Sequence, residues 1–200
     1  MANYVENHLI ITGLREDLIA FRDSAVGIGE YGETDKPSPL CFERLVPIAQ
    51  KIKNSSDGDE TDRWLKKNWG SYSDAIDVGF ALFSSPERGG QLAYEFLTKY
   101  SLPDRHIETA SASHPNLTFL LIGFEAGAQY AALYVDRHGK ILGGATGRYN
   151  PGLMAEVFER TFTAWRFLPQ QKASTQQATD RCLLHSSPKD RILKGESHER

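Results

Sequence analysis

The chain has 200 residues, 40% of them apolar, and a net charge of −3, which suffices for one hydrophobic core with embellishments and gives no general field to draw polyanions. Residues 171–200 carry six Lys and Arg against four Asp and Glu, so a grip on nucleic acid needs a local patch. The absence of a bilayer-length apolar run and of a secretion signal, with Cys41 and Cys182 far apart, predicts a cytoplasmic protein with no membrane association and no structural disulfide.

Residues 5–12 read as a strand with Leu9 and Ile11 on one face and His8 and Ile10 on the other, as a central strand requires. Leu14, Leu18, Phe21 and Ala25 then recur at helical spacing, with Glu16 and Asp17 in the first turn, where the macrodipole favours acid. Residues 27–39 form a polar loop rich in Gly and Pro, residues 40–48 an extended segment ending near Pro47, and residues 51–60 a mobile polar stretch. A short helix carrying Trp64 and Leu65 is capped by Asp59 or Thr61 and stops at Gly70, whose missing Cβ permits a left-handed turn.

Trp64, Trp69, Tyr72 and Asp74 crowd that corner; large aromatics dominate cores and binding surfaces alike, and the plug of a fold is the better reading of these, ahead of the face of a site. Beyond it, residues 75–83 alternate as a half-buried strand and residues 84–90 turn the chain back. Residues 91–100 fit a helix through Leu92, Phe96 and Tyr100, or a strand through Leu92, Tyr94, Phe96 and Thr98. Pro103 opens a helix that ends at His114, and the apolar run 117–124 is a buried strand. Residues 129–136 alternate again, and 137–140 make a hairpin to Ile141 and Leu142. A last helix follows Asn150-Pro151 with the stripe Met154, Val157, Phe158, Thr161, Phe162 and Trp165, and closes at Pro169. Residues 170–200 have a disordered composition.

Several joints carry a recognisable wording. They are Asn3-Tyr4-Val5-Glu6-Asn7, the segment from Phe42 to Pro47, Asn68-Trp69-Gly70, Thr98-Lys99-Tyr100-Ser101-Leu102-Pro103, Asn116-Leu117-Thr118-Phe119 and Phe124-Glu125-Ala126-Gly127. Over residues 3–142 the chain resembles the YubB family of uncharacterised plasmid and phage proteins. It departs from that pattern at Tyr4-Val5, where a Trp-Cys pair is usual, and at Tyr72 and Tyr100, where Trp is preferred. The resemblance implies a ferredoxin-like α+β domain, a strand over 91–99, a helix over 104–113 and a mobile genetic element in a bacterial cytoplasm; it implies no activity.

The chemical motifs are weak. Gly27-Ile28-Gly29-Glu30-Tyr31-Gly32 matches the dinucleotide pattern, but a helix precedes it and Pro37 and Pro39 follow, so a flexible loop is the better reading. The stretch from Gly143 to Arg148 lacks the Lys-Ser or Lys-Thr of a nucleotide loop and reads as a tight turn. Asp57, Asp59 and Asp62 lack the spacing of a calcium loop. The histidines lack ligand spacing, and two distant cysteines cannot hold an iron–sulfur cluster. No Gly-x-Ser-x-Gly elbow is present. No cofactor, metal or catalytic residue is predicted.

The expectation is therefore a single ferredoxin-like domain over residues 1–169. It has a mainly antiparallel sheet, helices on one face, an insertion around 26–62, an added C-terminal helix and a loose tail over 170–200. The first functional reading is a non-catalytic module that binds a host or element-encoded protein through Trp64, Trp69, Tyr72 and Asp74. The alternative is single-stranded nucleic-acid binding by Tyr94, Phe96, Tyr130 and Tyr134 with Arg137, Lys140 and Arg148, because RNA-recognition modules share this order of elements and stack bases on sheet aromatics. In that reading Ala132 stands where a second stacking aromatic belongs. Neither the partner nor the oligomeric state is specified by sequence.

Overall fold

The computed structural model describes residues 3–32, 35–85 and 89–148, with the backbone alone at 81–85 and 89. The chain divides into two units, Met1–Met154 and Ala155–Arg200, and every described residue lies in the first. The order of elements is β1 (Tyr4–Gly13), α1 (Arg15–Ala25), α2 (Phe42–Leu45), α3 (Gln50–Lys53), α4 (Gly58–Asn68), β2 (Ile76–Ser85), β3 (Gly89–Lys99), α5 (Asp104–Ser113), β4 (Thr118–Glu125), β5 (Tyr130–Arg137) and β6 (Lys140–Arg148). The helix expected to end at Pro169, the boundary there and the tail lie outside the described residues.

The strands pair as one antiparallel sheet in the order β2-β3-β1-β4-β5-β6. β1 is flanked on both edges, by β3 from Tyr4↔Lys99 to Gly13↔Gly90 and by β4 from Glu6↔Phe124 to Thr12↔Thr118. Its two apolar faces follow from that central position: Leu9 and Ile11 enter the core on one side, while Ile10 on the other is also buried. Asn7 is the polar member of the core-facing row. Its amide donates to the Thr98 hydroxyl of β3 and to the Val5 carbonyl, both at 2.9 Å, and a one-residue slip would strand that buried donor.

The helices share one core on one side of the sheet. Leu18 and Phe21 of α1, Phe42 of α2, Ile52 of α3, Leu65 of α4 and Ile107 of α5 pack with Leu9, Leu92, Tyr94, Phe96, Phe119 and Leu121. The fold is thus α+β, a six-stranded antiparallel sheet with helices on one face. Residues 91–99 take the strand alternative.

Three local expectations are corrected. Residues 40–48 are not extended throughout, because Phe42–Leu45 closes a helical turn whose first N–H is held by the distant Asp74 carboxylate. The stretch 51–60 is largely helical, and the cap of α4 is Asp57, which accepts the Asp59 N–H at 2.9 Å. The glycine run 143–148 is no turn; it continues β6 against β5, from Val135↔Gly143 to Tyr130↔Arg148.

Candidate functional site

The Trp69 corner divides into a buried half and an outward half. Trp69 follows α4, and Gly70 at φ +82° redirects the chain there. The indole is fully buried, its Nε1–H donates to the Val46 carbonyl at 3.0 Å, and the rings of Phe42, Trp64, His106 and Tyr31 meet it edge to face at 5.7, 6.0, 6.3 and 6.5 Å. An indole so enclosed packs and does not recognise. Half-buried Trp64 supports it.

Asp74 is also buried, and it clamps the start of β2 to α2. Its carboxylate accepts the N–H groups of Phe42 and Ala75, each at 2.7 Å, and the Cys41 thiol at 3.4 Å. Burial raises the Asp74 pKa while the backbone bonds oppose the rise. Burial, then the Asp74 charge, pushes the Cys41 thiol up to about 12, so the sulfur is a neutral packing group and no nucleophile. The glycine-rich loop lies directly over this pair: a Cβ on Gly29 would collide with the Asp74 carboxylate, so that glycine serves packing.

Tyr72 faces the other way. Its ring meets Tyr100 edge to face at 5.7 Å, and the Lys66 ammonium sits 5.8 Å from its centroid. Tyr100 has φ +64° and is 56% exposed, so the turn after β3 thrusts a large aromatic into solvent. Lys66 is held in place by the Gly70 carbonyl and the Ser101 hydroxyl, both at 2.9 Å.

Tyr100 borders a concavity of about 270 Å³ lined also by Tyr130, Tyr134, Lys66, Asp104 and Glu125. Tyr130 and Tyr134 share the core-side face of β5, separated by the small Ala132. Glu125 shapes the rim by accepting the N–H groups of Gly127 and Ala128 at 2.9 and 2.6 Å. Burial, the neighbouring Tyr134 hydroxyl and the Asp104 charge push the Tyr130 hydroxyl up to about 12. Two carboxylates against one ammonium make the lining mildly acidic.

The nucleic-acid set is not brought together. Tyr94 and Phe96 are 1% and 3% exposed, inside the helix-side core, and unavailable for stacking. Tyr130 and Tyr134 remain accessible at the concavity. Arg148 is the cross-strand partner of Tyr130 and donates to the Gln129 side chain at 2.8 Å. Arg137 and Lys140 pair across the hairpin. A bulge at Val135/Asp136 shifts the register between these ends, so Arg148 lies on the face of Tyr130, and Arg137 with Lys140 on the opposite face.

Sequence reasoning did not single out Tyr100, Lys66, Asp104 or Glu125. The available signal was Tyr100 itself, a large aromatic just before the Ser-Leu-Pro turn. Among the described residues no group of three or more His, Cys, Asp or Glu is placed to hold a metal ion, and no helix is long and apolar enough to cross a membrane.

No family model matches the chain, and no curated protein matches it. Among solved structures, the chain is similar to a protein api92 from Yersinia pseudotuberculosis, described with the family model DUF1281, at 13% identity and a TM-score of 0.41; the match covers 60% of this chain and 43% of that one.

Proposed function

We propose that the chain is a non-catalytic binding module whose partner is a protein, and that the partner seats on Tyr72, Tyr100 and the concavity of Tyr130 and Tyr134. The observation that carries this reading is Tyr100, held out into solvent against Tyr72 at the mouth of a cleft with two further tyrosines. Tyrosines in such a setting bury large area at low entropic cost and are enriched at protein interfaces. The acidic lining, with Asp104 and Glu125, disfavours phosphate and so favours a protein over a nucleic acid. Trp64, Trp69 and Asp74 belong to the packed side of the corner and not to this surface.

The order β2-β3-β1-β4, with α1 on the β1-to-β2 connection and α5 between β3 and β4, supports a ferredoxin-like reading of the first four strands, with β5 and β6 added at the β4 edge. A role on a plasmid or phage, in the bacterial cytoplasm, rests on the sequence resemblance.

The test is capture of partners from a bacterial lysate by the tagged full chain, with and without nuclease, beside a Tyr100→Ala, Tyr130→Ala double variant. Proteins that survive nuclease and are lost by a variant with unchanged thermal unfolding support the reading. Capture that disappears with nuclease, or persists in the double variant, overturns it.

A further inference from the structure

We propose that the outer edge of β6 docks an extended acidic peptide segment as an added strand. β6 ends the sheet, and among the described residues no strand pairs with its outer edge. Its whole length, Lys140–Arg148, is exposed. Every other N–H and C=O along such a strand points away from its single neighbour and is left to solvent or to a newcomer.

Edges are commonly blunted by prolines, central charges or bulges. Here the bulge is confined to the Lys140 end, and from Val135↔Gly143 to Tyr130↔Arg148 the ladder is regular. Residues 142–147 carry neither charge nor proline. At Gly143 and Gly147 the space where a Cβ would stand is empty, so nothing on this strand hinders approach there. Ile141 and Leu142, 43% and 62% exposed, offer apolar contact to the incoming chain.

Charge selects the occupant. Lys140 and Arg148 mark the two ends of β6, Arg137 stands opposite Lys140, and the strand has no acid of its own. A second copy pairing antiparallel about Gly144 would set Lys140 against Arg148 at both ends, an unfavourable cross-strand match. Acidic residues at the ends of the added strand satisfy both cations, while main-chain bonds supply the remaining grip. This surface is separate from the tyrosine concavity and does not depend on it.

The test titrates the full chain with the blocked peptide Glu-Glu-Val-Thr-Val-Thr-Val-Glu-Glu, and with the same peptide carrying Lys for Glu, followed by amide hydrogen exchange. The expected result is a preference of roughly tenfold or more for the acidic peptide, slowed exchange confined to β6, and reversal of the preference in a folded Lys140→Glu, Arg148→Glu double variant. Three results overturn the proposal: no binding of the acidic peptide, equal binding of both peptides, or binding that leaves β6 exchange unchanged. Protection of β6 that grows with protein concentration without peptide also overturns it, in favour of a second copy.

Discussion

His106 lies on Phe42 with ring centroids 4.1 Å apart and planes 23° from parallel, and its Nε2 is 3.1 Å from the carbonyl oxygen of that same phenylalanine. One residue of α5 therefore grips both the ring and the backbone of α2. The ring is wholly buried and its Nδ1 has no partner among the described residues, so the imidazole is neutral, with Nε2–H donating to the carbonyl.

Acid weakens this grip. Burial holds the folded pKa down to about 3, from 6.5 in the unfolded chain, so the unfolded state takes up its proton first. The contribution of His106 to stability is complete above pH 6.5 and is lost progressively as pH falls toward 3. His106→Phe keeps the stack, removes this titration and leaves the Phe42 carbonyl with the Val46 N–H, at 2.8 Å, as its donor. It is expected to cost about 0.5–1.5 kcal/mol at pH 7 and to lose less stability than the parent between pH 7 and 4 in urea titrations. A parallel decline in both proteins would refute the assignment.

Asp136 acts in the opposite sense. Both its oxygens are buried without a hydrogen-bond partner among the described residues, and burial, then the charges of Glu108 and Asp104, raise its pKa from 3.8 to about 6. The folded state holds the proton more tightly, so the stabilising contribution of the neutral acid is full below pH 3.8 and disappears as pH rises through 6. Asp136→Asn removes the titration. It is expected to exceed the parent in stability by about 1–3 kcal/mol at pH 8 and to match it at pH 4, measured by urea midpoints at both values.

Removing the Asp74 carboxylate leaves the buried N–H groups of Phe42 and Ala75 without their acceptor. Asp74→Ala is expected to cost on the order of 2–4 kcal/mol, with the loss visible as faster amide exchange in α2. Unchanged exchange at Phe42 would show that this clamp is dispensable.

Gly70 tolerates no side chain, because its φ is +82° and an added Cβ would meet the Asp104 carboxylate and stand 2.8 Å from the Leu102 carbonyl. Gly70→Ala is expected to destabilise by more than about 1 kcal/mol. Tyr100→Ala, at an exposed ring, is expected to stay within about 0.5 kcal/mol of the parent. Comparing their thermal unfolding separates the structural half of the corner from its outward half.

Much of the frame was legible because its signals are local. The two apolar faces of β1, the helical spacing from Leu14 to Ala25 and the glycine stop at position 70 all depend on near neighbours in the chain. The helical turn at Phe42 was not legible, since its first N–H is held by Asp74, far along the sequence. Composition likewise suggested a turn at Gly143, where pairing with β5 imposes a strand. The aromatic corner was found as a group, but the division into buried Trp69 and outward Tyr72 depends on which way the chain leaves Gly70. The sheet aromatics share one face but not one cover. Tyr94 and Phe96 lie under the helices, whereas Tyr130 and Tyr134 sit where the cover thins toward the concavity.

The central place of β1 has a consequence for how the chain folds during synthesis. This strand is made before both its neighbours, since β3 and β4 begin only at Gly89 and Thr118. Until both are made, a nascent apolar segment waits with open edges, exposed to wrong pairing. Contacts of such long sequence separation also slow the search for the native arrangement. Asn7 and Thr98 then act as a checkpoint on the late-arriving β3, because only the correct register satisfies the buried amide.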